Sequence, residues 1–213
     1  KSDYEQSLNQ IIKNYQPDLY IYSGQFNQLK YPWQTLDMAQ VILHTRLQPL
    51  ISTTAIIHPT AVVEHNVFIG DKVKVLAHAT IAGPSYIGPN TIIGNNALVR
   101  QSIIGTNCVV GYNTEIARSW VGDKCWFHSN YLGDSVVEYD SSFGGGALTA
   151  NFRLDHQPIK HTHRTKLGAI IGHGSQIGVN TSLMPGVNIG QNSVVGPGLV
   201  LKQDLNDQQV YFK

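Results

Sequence analysis

Charged side chains are scarce. Asp, Glu, Lys and Arg make up 14% of the 213 residues, about half the usual share of a soluble domain. Fifteen basic residues against fourteen acidic ones leave a formal net charge of +1, which speaks against a nucleic-acid partner or an anionic membrane surface. No run of eighteen apolar residues exists, so nothing reads as a membrane-spanning helix. No charged-then-apolar leader opens the chain either. It begins at Lys1 rather than at a methionine, as a piece of a longer protein would. Cysteine is nearly missing: Cys108 and Cys125 stand alone, without metal-ligand spacing. They are expected to be free thiols in a reducing, cytoplasmic setting. What is plentiful is aliphatic residue, with hydrophobic content at 42%. Few charges and ample apolar residues suggest a chain lying largely inside a stack or an interface.

The strongest pattern is a period of six. Ile57, Val63, Ile69, Val75, Ile81, Ile87, Ile93 and Val99 follow one another at that interval without a miss. A shifted register gives Ile104, Val110 and Ile116, then Val121 and Phe127. A third run holds Ile171, Ile177, Leu183, Ile189, Val195 and Leu201. Many are followed by glycine, as in Ile69-Gly70, Ile87-Gly88 and Ile177-Gly178. Six fits neither an amphipathic helix nor a simple alternating strand. It fits a hexapeptide β-helix, in which each unit is a short strand and a corner. Three units close a coil of eighteen residues, and coils stack at about 4.8 Å. The competing assignment, an antiparallel sandwich with chance spacing, has to explain eight hits in register.

Residues 1–50 fall outside the repeat. Tyr4, Leu8, Ile11, Ile12 and Tyr15 have helical spacing, Asp18–Ser23 suits a short strand, and Trp33, Leu36, Ala39, Leu43 and Leu47 mark a second helix behind Pro32. A solenoid needs its open end covered, so residues 1–50 are expected to form a helical cap and linker. Residues 51–213 then form the β-helix. The repeat stops between Gly144 and Leu167, where Asn151–Lys166 carries Arg153, Asp155, His156, Lys160, His161, His163, Arg164 and Lys166. An extruded loop near 151–167 is expected. The tail Asp204–Lys213 is expected to close the other end.

The segment His128-Ser129-Asn130-Tyr131-Leu132-Gly133-Asp134 resembles the His-x-x-Tyr-Leu-Gly-Asp segment of bifunctional glucosamine-1-phosphate acetyltransferase/N-acetylglucosamine-1-phosphate uridyltransferases. Phe143-Gly144-Gly145-Gly146-Ala147-Leu148-Thr149-Ala150-Asn151 is similar to that family's Ile-Gly-Ala-Gly-Thr-Ile-Thr-x-Asn, at matching distance. Lys166–Gly172 and Met184–Val187 resemble one branch of these enzymes, and Tyr31-Pro32-Trp33 resembles its interdomain linker helix. The resemblance covers Tyr31 to Lys213 and leaves out the nucleotidyltransferase domain. It implies a left-handed coil, a homotrimer with coenzyme A between neighbouring prisms, and acetyl transfer from acetyl-CoA to the amine of an amino-sugar 1-phosphate. Flat solenoid faces with few charges, such as Ser102–Ala117, suit a subunit contact. No metal is required.

The resemblance also implies roles. His128 aligns with the catalytic base, whose imidazole suits proton transfer near neutrality. Gly145 matches the residue whose N–H faces the thioester oxygen; as a corner residue it is also expected to need an unusual φ. Asn151 matches the asparagine that orients amine and thioester, or else a turn residue that opens the loop. Arg100 resembles the arginine that grips the sugar phosphate, with Tyr131 reaching the same group. Lys160 joins them from the loop. Phe152, Lys166, Val179 and Pro197 are assigned with Gly145 to the cofactor arm.

Two departures bear on the acceptor. Where the family shows a phosphate-binding lysine, the sequence reads Glu115-Ile116-Ala117-Arg118. Arg118 is the replacement candidate, although neighbours along a strand point to opposite faces. Ser142 replaces a family asparagine. A second reading is therefore an inactive oligomerisation or regulatory module. A third, a zinc carbonic anhydrase on the same fold, needs convergent histidines that His58, His65 and His78 do not obviously supply.

Overall fold

The computed structural model describes residues 3–15, 17–18, 20–24, 26–160 and 162–212. Twenty-five strands of two or three residues build three parallel sheets of 8, 9 and 8 strands among the described residues. As far as Val200–Leu201, successive strands go to the first, second and third sheet in turn, starting at Leu50–Ile51, Ile56–Ile57 and Val62–Val63. The chain is a parallel β-solenoid of about nine turns, and its hexapeptide repeats imply a left-handed coil. One column of side chains from each sheet points inward. Phe127 and Phe143 from adjacent coils meet at 4.9 Å, amid Ile69, Ile81, Ile87, Ile93, Val99, Ile104, Ile116, Leu132 and Ile171. Burying such a side chain contributes about 1.5–3 kcal/mol, so the period-six residues hold the stack together.

The coils are not all eighteen residues long. In the first sheet Ile69, Ile87, Ile104, Val121 and Val137 occupy one inward column, at intervals of 18, 17, 17 and 16. Most corners turn through a left-handed residue. Between the second and third sheets these are His78, Asn96, Asn113, Gly146, Asn180 and Gly198. Asparagine and glycine tolerate that conformation, which explains their frequency. The corner between Phe127 and Tyr131 has no such residue and is one residue shorter.

A polar column runs inside the corner between the first and second sheets. Thr91, Cys108, Cys125, Ser141, Ser175 and Ser193 each donate to a carbonyl of the following coil, Cys108 to Gly122 and Cys125 to Glu138 at 3.1 Å each. The cysteines are thus buried free thiols standing in for hydroxyls. The hydrogen bond with Cys108 and burial both raise the pKa of the Cys125 thiol, keeping it protonated. Cys125→Ser is expected to fold with stability within about 1 kcal/mol of the parent, since the donor is kept. Cys125→Val should be markedly less stable in thermal unfolding.

Helix α1, Asp3–Asn14, buries none of its residues. Helix α2, Gln34–Thr45, buries Leu36, Ala39 and Leu43, one face at helical spacing. It does not cover the open end, as a cap was expected to do. It packs on the flank of the first sheet against Trp120–Val121, with Leu36 joining Val136, Leu167 and Ile170 beside Trp33 and Trp120. Gln40 Nε2 donates to Gln101 O at 2.9 Å. The outward faces of the first sheet carry large apolar residues there, so burial along the flank outweighs covering the end. No strand forms over the described residues of Asp18–Ser23; Leu19 lies outside them. The tail adds Val210–Tyr211 as the last strand of the second sheet, with Leu205 buried in the core and Tyr211 packed against it at that end of the stack.

The strand Leu148–Thr149 still belongs to the third sheet, after which the chain leaves the solenoid. An antiparallel bridge between Phe152 and Lys166 closes the loop at its base. The loop folds back on the first sheet, burying Ile159 beside Leu36, and Arg164 pairs with Asp37 of α2. His161 lies outside the described residues.

Candidate active site

The residues singled out from sequence separate into groups along the third sheet. The first group lines the corner between the second and third sheets. His128 sits on the short corner after the strand Trp126–Phe127, exposed, with its ring tilted against Trp126 at 6.2 Å. A groove of about 330 Å³ runs from His128 past Gly144 and Val179 to Pro197 and Phe212. Gly145 stands beside it. A Cβ at Gly145 would meet only the Cβ of His128, at 4.0 Å. The unusual φ expected of Gly145 belongs instead to Gly146, at +75°. Packing within the chain therefore does not require a glycine at 145. The Gly145 N–H has no hydrogen-bond partner among the described residues, which leaves it able to donate to a ligand.

What fixes this corner is Asn130, a residue that the sequence did not single out. Its side chain is buried. Oδ1 accepts from the His128 N–H at 2.7 Å, and Nδ2 donates to Gly144 O at 2.8 Å and Ala147 O at 2.9 Å. Its own N–H donates to Thr114 Oγ1, which in turn donates to His128 O. One side chain thus ties the His128 backbone to the turn carrying Gly145. The available signal was the five-residue step from Phe127 to Leu132, against six from Val110 to Ile116 and from Phe143 to Thr149.

The second group lies at the other edge of the third sheet. Arg118 turns the corner with φ of +50° and forms a two-pronged ion pair with Asp134, both contacts at 2.7 Å. This partner raises the Arg118 pKa, against burial. Asn151 Nδ2 donates to the other side of the cluster, to Asp134 Oδ2 and, at 3.3 Å, to Tyr131 Oη. Asn151 is thus placed with Tyr131 and Arg118. Phe152 and Lys166 stand at the loop base on this same edge, Phe152 meeting His156 edge-on at 5.0 Å. Lys160 belongs to neither group: it pairs with Asp204 near Trp33 and Gly186. Between the two edges Arg100 reaches across the sheet to Glu115, at 2.7 and 3.1 Å. Among the described residues, no three His, Cys, Asp or Glu side chains gather as a metal site, and no helix is long and apolar enough to cross a membrane.

The three-sided parallel solenoid is that of a hexapeptide-repeat protein, and one of its grooves carries an imidazole beside an unpaired corner N–H. Residues 168–203 match the bacterial transferase hexapeptide model, and residues 46–139 match a model described as the GMPPB C-terminal domain. The chain is 30% identical over 210 residues to the bifunctional protein GlmU of Methanococcus vannielii, covering 90% of this chain and 48% of that protein. It is 29% identical over 223 residues to the bifunctional sugar-1-phosphate nucleotidylyltransferase/acetyltransferase of Sulfurisphaera tokodaii, covering 93% and 52%. Among solved structures, a UDP-N-acetylglucosamine acyltransferase from Bacteroides fragilis superposes with a TM-score of 0.52 over 73% of this chain and 68% of that one, at 20% identity, a likeness of fold. The chain is a hexapeptide-repeat domain homologous to the C-terminal acetyltransferase part of the bifunctional GlmU-type proteins. It spans about half the length of the curated relatives it matches.

Proposed function

We propose that the chain transfers an acetyl group from acetyl-CoA to the amine of an amino-sugar 1-phosphate such as glucosamine-1-phosphate. The observation that carries this reading is the juxtaposition of an exposed His128 with a glycine, Gly145, that internal packing does not require and whose N–H is unpaired. The groove beyond them is largely apolar, with Val179 and Pro197 on its wall, which suits a pantetheine arm. The amine attacks the thioester carbon, the new C–N bond forms, and the C–S bond breaks. His128 accepts the amine proton and returns it to the leaving thiolate, so the imidazole ends unchanged. The Gly145 N–H stabilises the tetrahedral oxyanion.

The separation of Phe152 and Lys166 from His128 supports a homotrimer. Side-by-side packing would bring the loop edge of one prism to the His128 corner of the next, as a shared cofactor groove needs. Both substrates are cytoplasmic metabolites, which suits a cytoplasmic enzyme.

Gly145→Ala separates chemistry from packing. A methyl has room in the fold, so Tm should stay within about 2 °C. The same methyl would occupy the place of the thioester, so KM for acetyl-CoA should rise by about tenfold or more. Unchanged kinetics in this variant would take Gly145 out of the site.

A second reading is a non-catalytic oligomerisation or regulatory module. It is favoured by Asn151 being tied to Asp134 and Tyr131. Calorimetric titration with acetyl-CoA, followed by thiol release against a panel of hexosamine phosphates, divides the two. A module without catalysis gives no turnover with any acceptor.

A further inference from the structure

The two arginines assigned to the acceptor phosphate are held differently. Arg118 uses two nitrogens on both oxygens of Asp134, which also accepts from Asn151, and the Asp134 side chain is only 9% exposed. That pair is saturated. Arg100 instead points Nε and Nη2 at the same oxygen, Glu115 Oε1. Nη1 of Arg100 and Oε2 of Glu115 have no partner among the described residues, and both side chains are about one-third exposed, at 34% and 33%. Glu115 also lines a cleft of about 340 Å³ with Ser129, Tyr131, Gly146 and Leu148. This cleft opens on the third-sheet side of the corner that carries His128 and Gly145.

Resting on the acetyl-transfer reading, we infer that Arg100 and Glu115 form one zwitterion-reading unit, with Arg100 taking the acceptor's phosphate and Glu115 its ammonium. An amino-sugar phosphate carries one group of each sign at neutral pH. A half-open ion pair matches it by exchanging partners: each charge loses one protein contact and gains one ligand contact. A lone arginine would hold any sugar phosphate. An arginine already tied to a carboxylate holds a phosphate well only when the ligand also brings a cation to replace it. Glu115 thereby discriminates against hydroxyl sugars and against the N-acetylated product, which has lost its positive charge. The bound ammonium gives up a proton to solvent before the free amine attacks, so Glu115 is a specificity residue and His128 remains the base.

The test is calorimetric binding of glucosamine-1-phosphate and glucose-1-phosphate, the second having no amine, to the full chain and to Glu115→Gln and Arg100→Gln. The parent should bind the amine-bearing sugar at least about tenfold more tightly. Glu115→Gln should bring the two sugars within about twofold, and glucose-1-phosphate should bind this variant more tightly than the parent, because Arg100 is released. Arg100→Gln should weaken both sugars and keep the preference. A preference that survives Glu115→Gln, or a parent without one, overturns the inference. Binding is read separately from turnover. A parent that prefers the amine yet releases no thiol from acetyl-CoA would sustain the inference and remove the catalytic reading.

Discussion

Replacing His128 with alanine is expected to lower kcat by about two to four orders of magnitude, the usual loss when a general base is removed. The KM for acetyl-CoA should change little, because the groove wall of Gly144, Val179 and Pro197 is untouched. Thermal stability should stay within about 0.5 kcal/mol, since the ring is exposed and its one aromatic neighbour lies 6.2 Å away. This combination distinguishes a lost base from a lost fold. His128→Gln tests it further. An amide keeps a polar group of similar reach but cannot serve as the proton acceptor, so it should be as slow as alanine. Turnover near that of the parent in either variant would mean that another group, or solvent, takes the amine proton.

The architecture could be read from the chain because its physics is local and repetitive. Each inward Ile or Val must sit over the one before it, so the stack prints its own period on the sequence. Ile57 to Val99 keeps that period unbroken, and the structure places Val75, Ile93, Val110 and Phe127 in one column. The motif around His128 was equally visible, by likeness to a family. What could not be read was anything that depends on which residues meet across coils. Arg100 meets Glu115, and Asn130 meets Ala147, across coils that are 17 residues long. A reading with uniform coils of eighteen residues misplaces both. Arg118 shows the same failure. As a strand residue it should point to the face opposite its neighbour, but as a left-handed corner residue it swings to Asp134. The flank position of α2 was hidden for a related reason. Its apolar face at Leu36, Ala39 and Leu43 demands a partner, yet it does not say whether that partner is an end or a side.

Asn130 allows the sharpest test of how the corner is built. Asn130→Ala deletes the acceptor of the His128 N–H and both donors to the following turn. Gly144 O keeps the Ala147 N–H at 3.2 Å, whereas the His128 N–H and Ala147 O lose their side-chain partner. Each buried polar group left alone costs about 1–3 kcal/mol, so destabilisation of about 2–4 kcal/mol is expected in denaturant or thermal unfolding. Asn130→Asp should do no better. Its carboxylate keeps the acceptor for His128 but faces two carbonyl oxygens with no proton to offer. The catalytic effect follows from the same bonds, because they set how far His128 stands from Gly145. A displacement of about 1 Å at a reacting centre can cost a factor of about 10² in rate, so kcat should fall by about that much while acetyl-CoA still binds. Asn96→Gly is the comparison. It alters an exposed left-handed corner two coils earlier, where glycine adopts the same conformation without strain, and should change neither stability nor rate appreciably. If Asn130→Ala melts with the parent and turns over at its rate, the short corner holds its shape through the backbone alone. The distance between imidazole and oxyanion donor would then be set by the stacked coils rather than by this side chain.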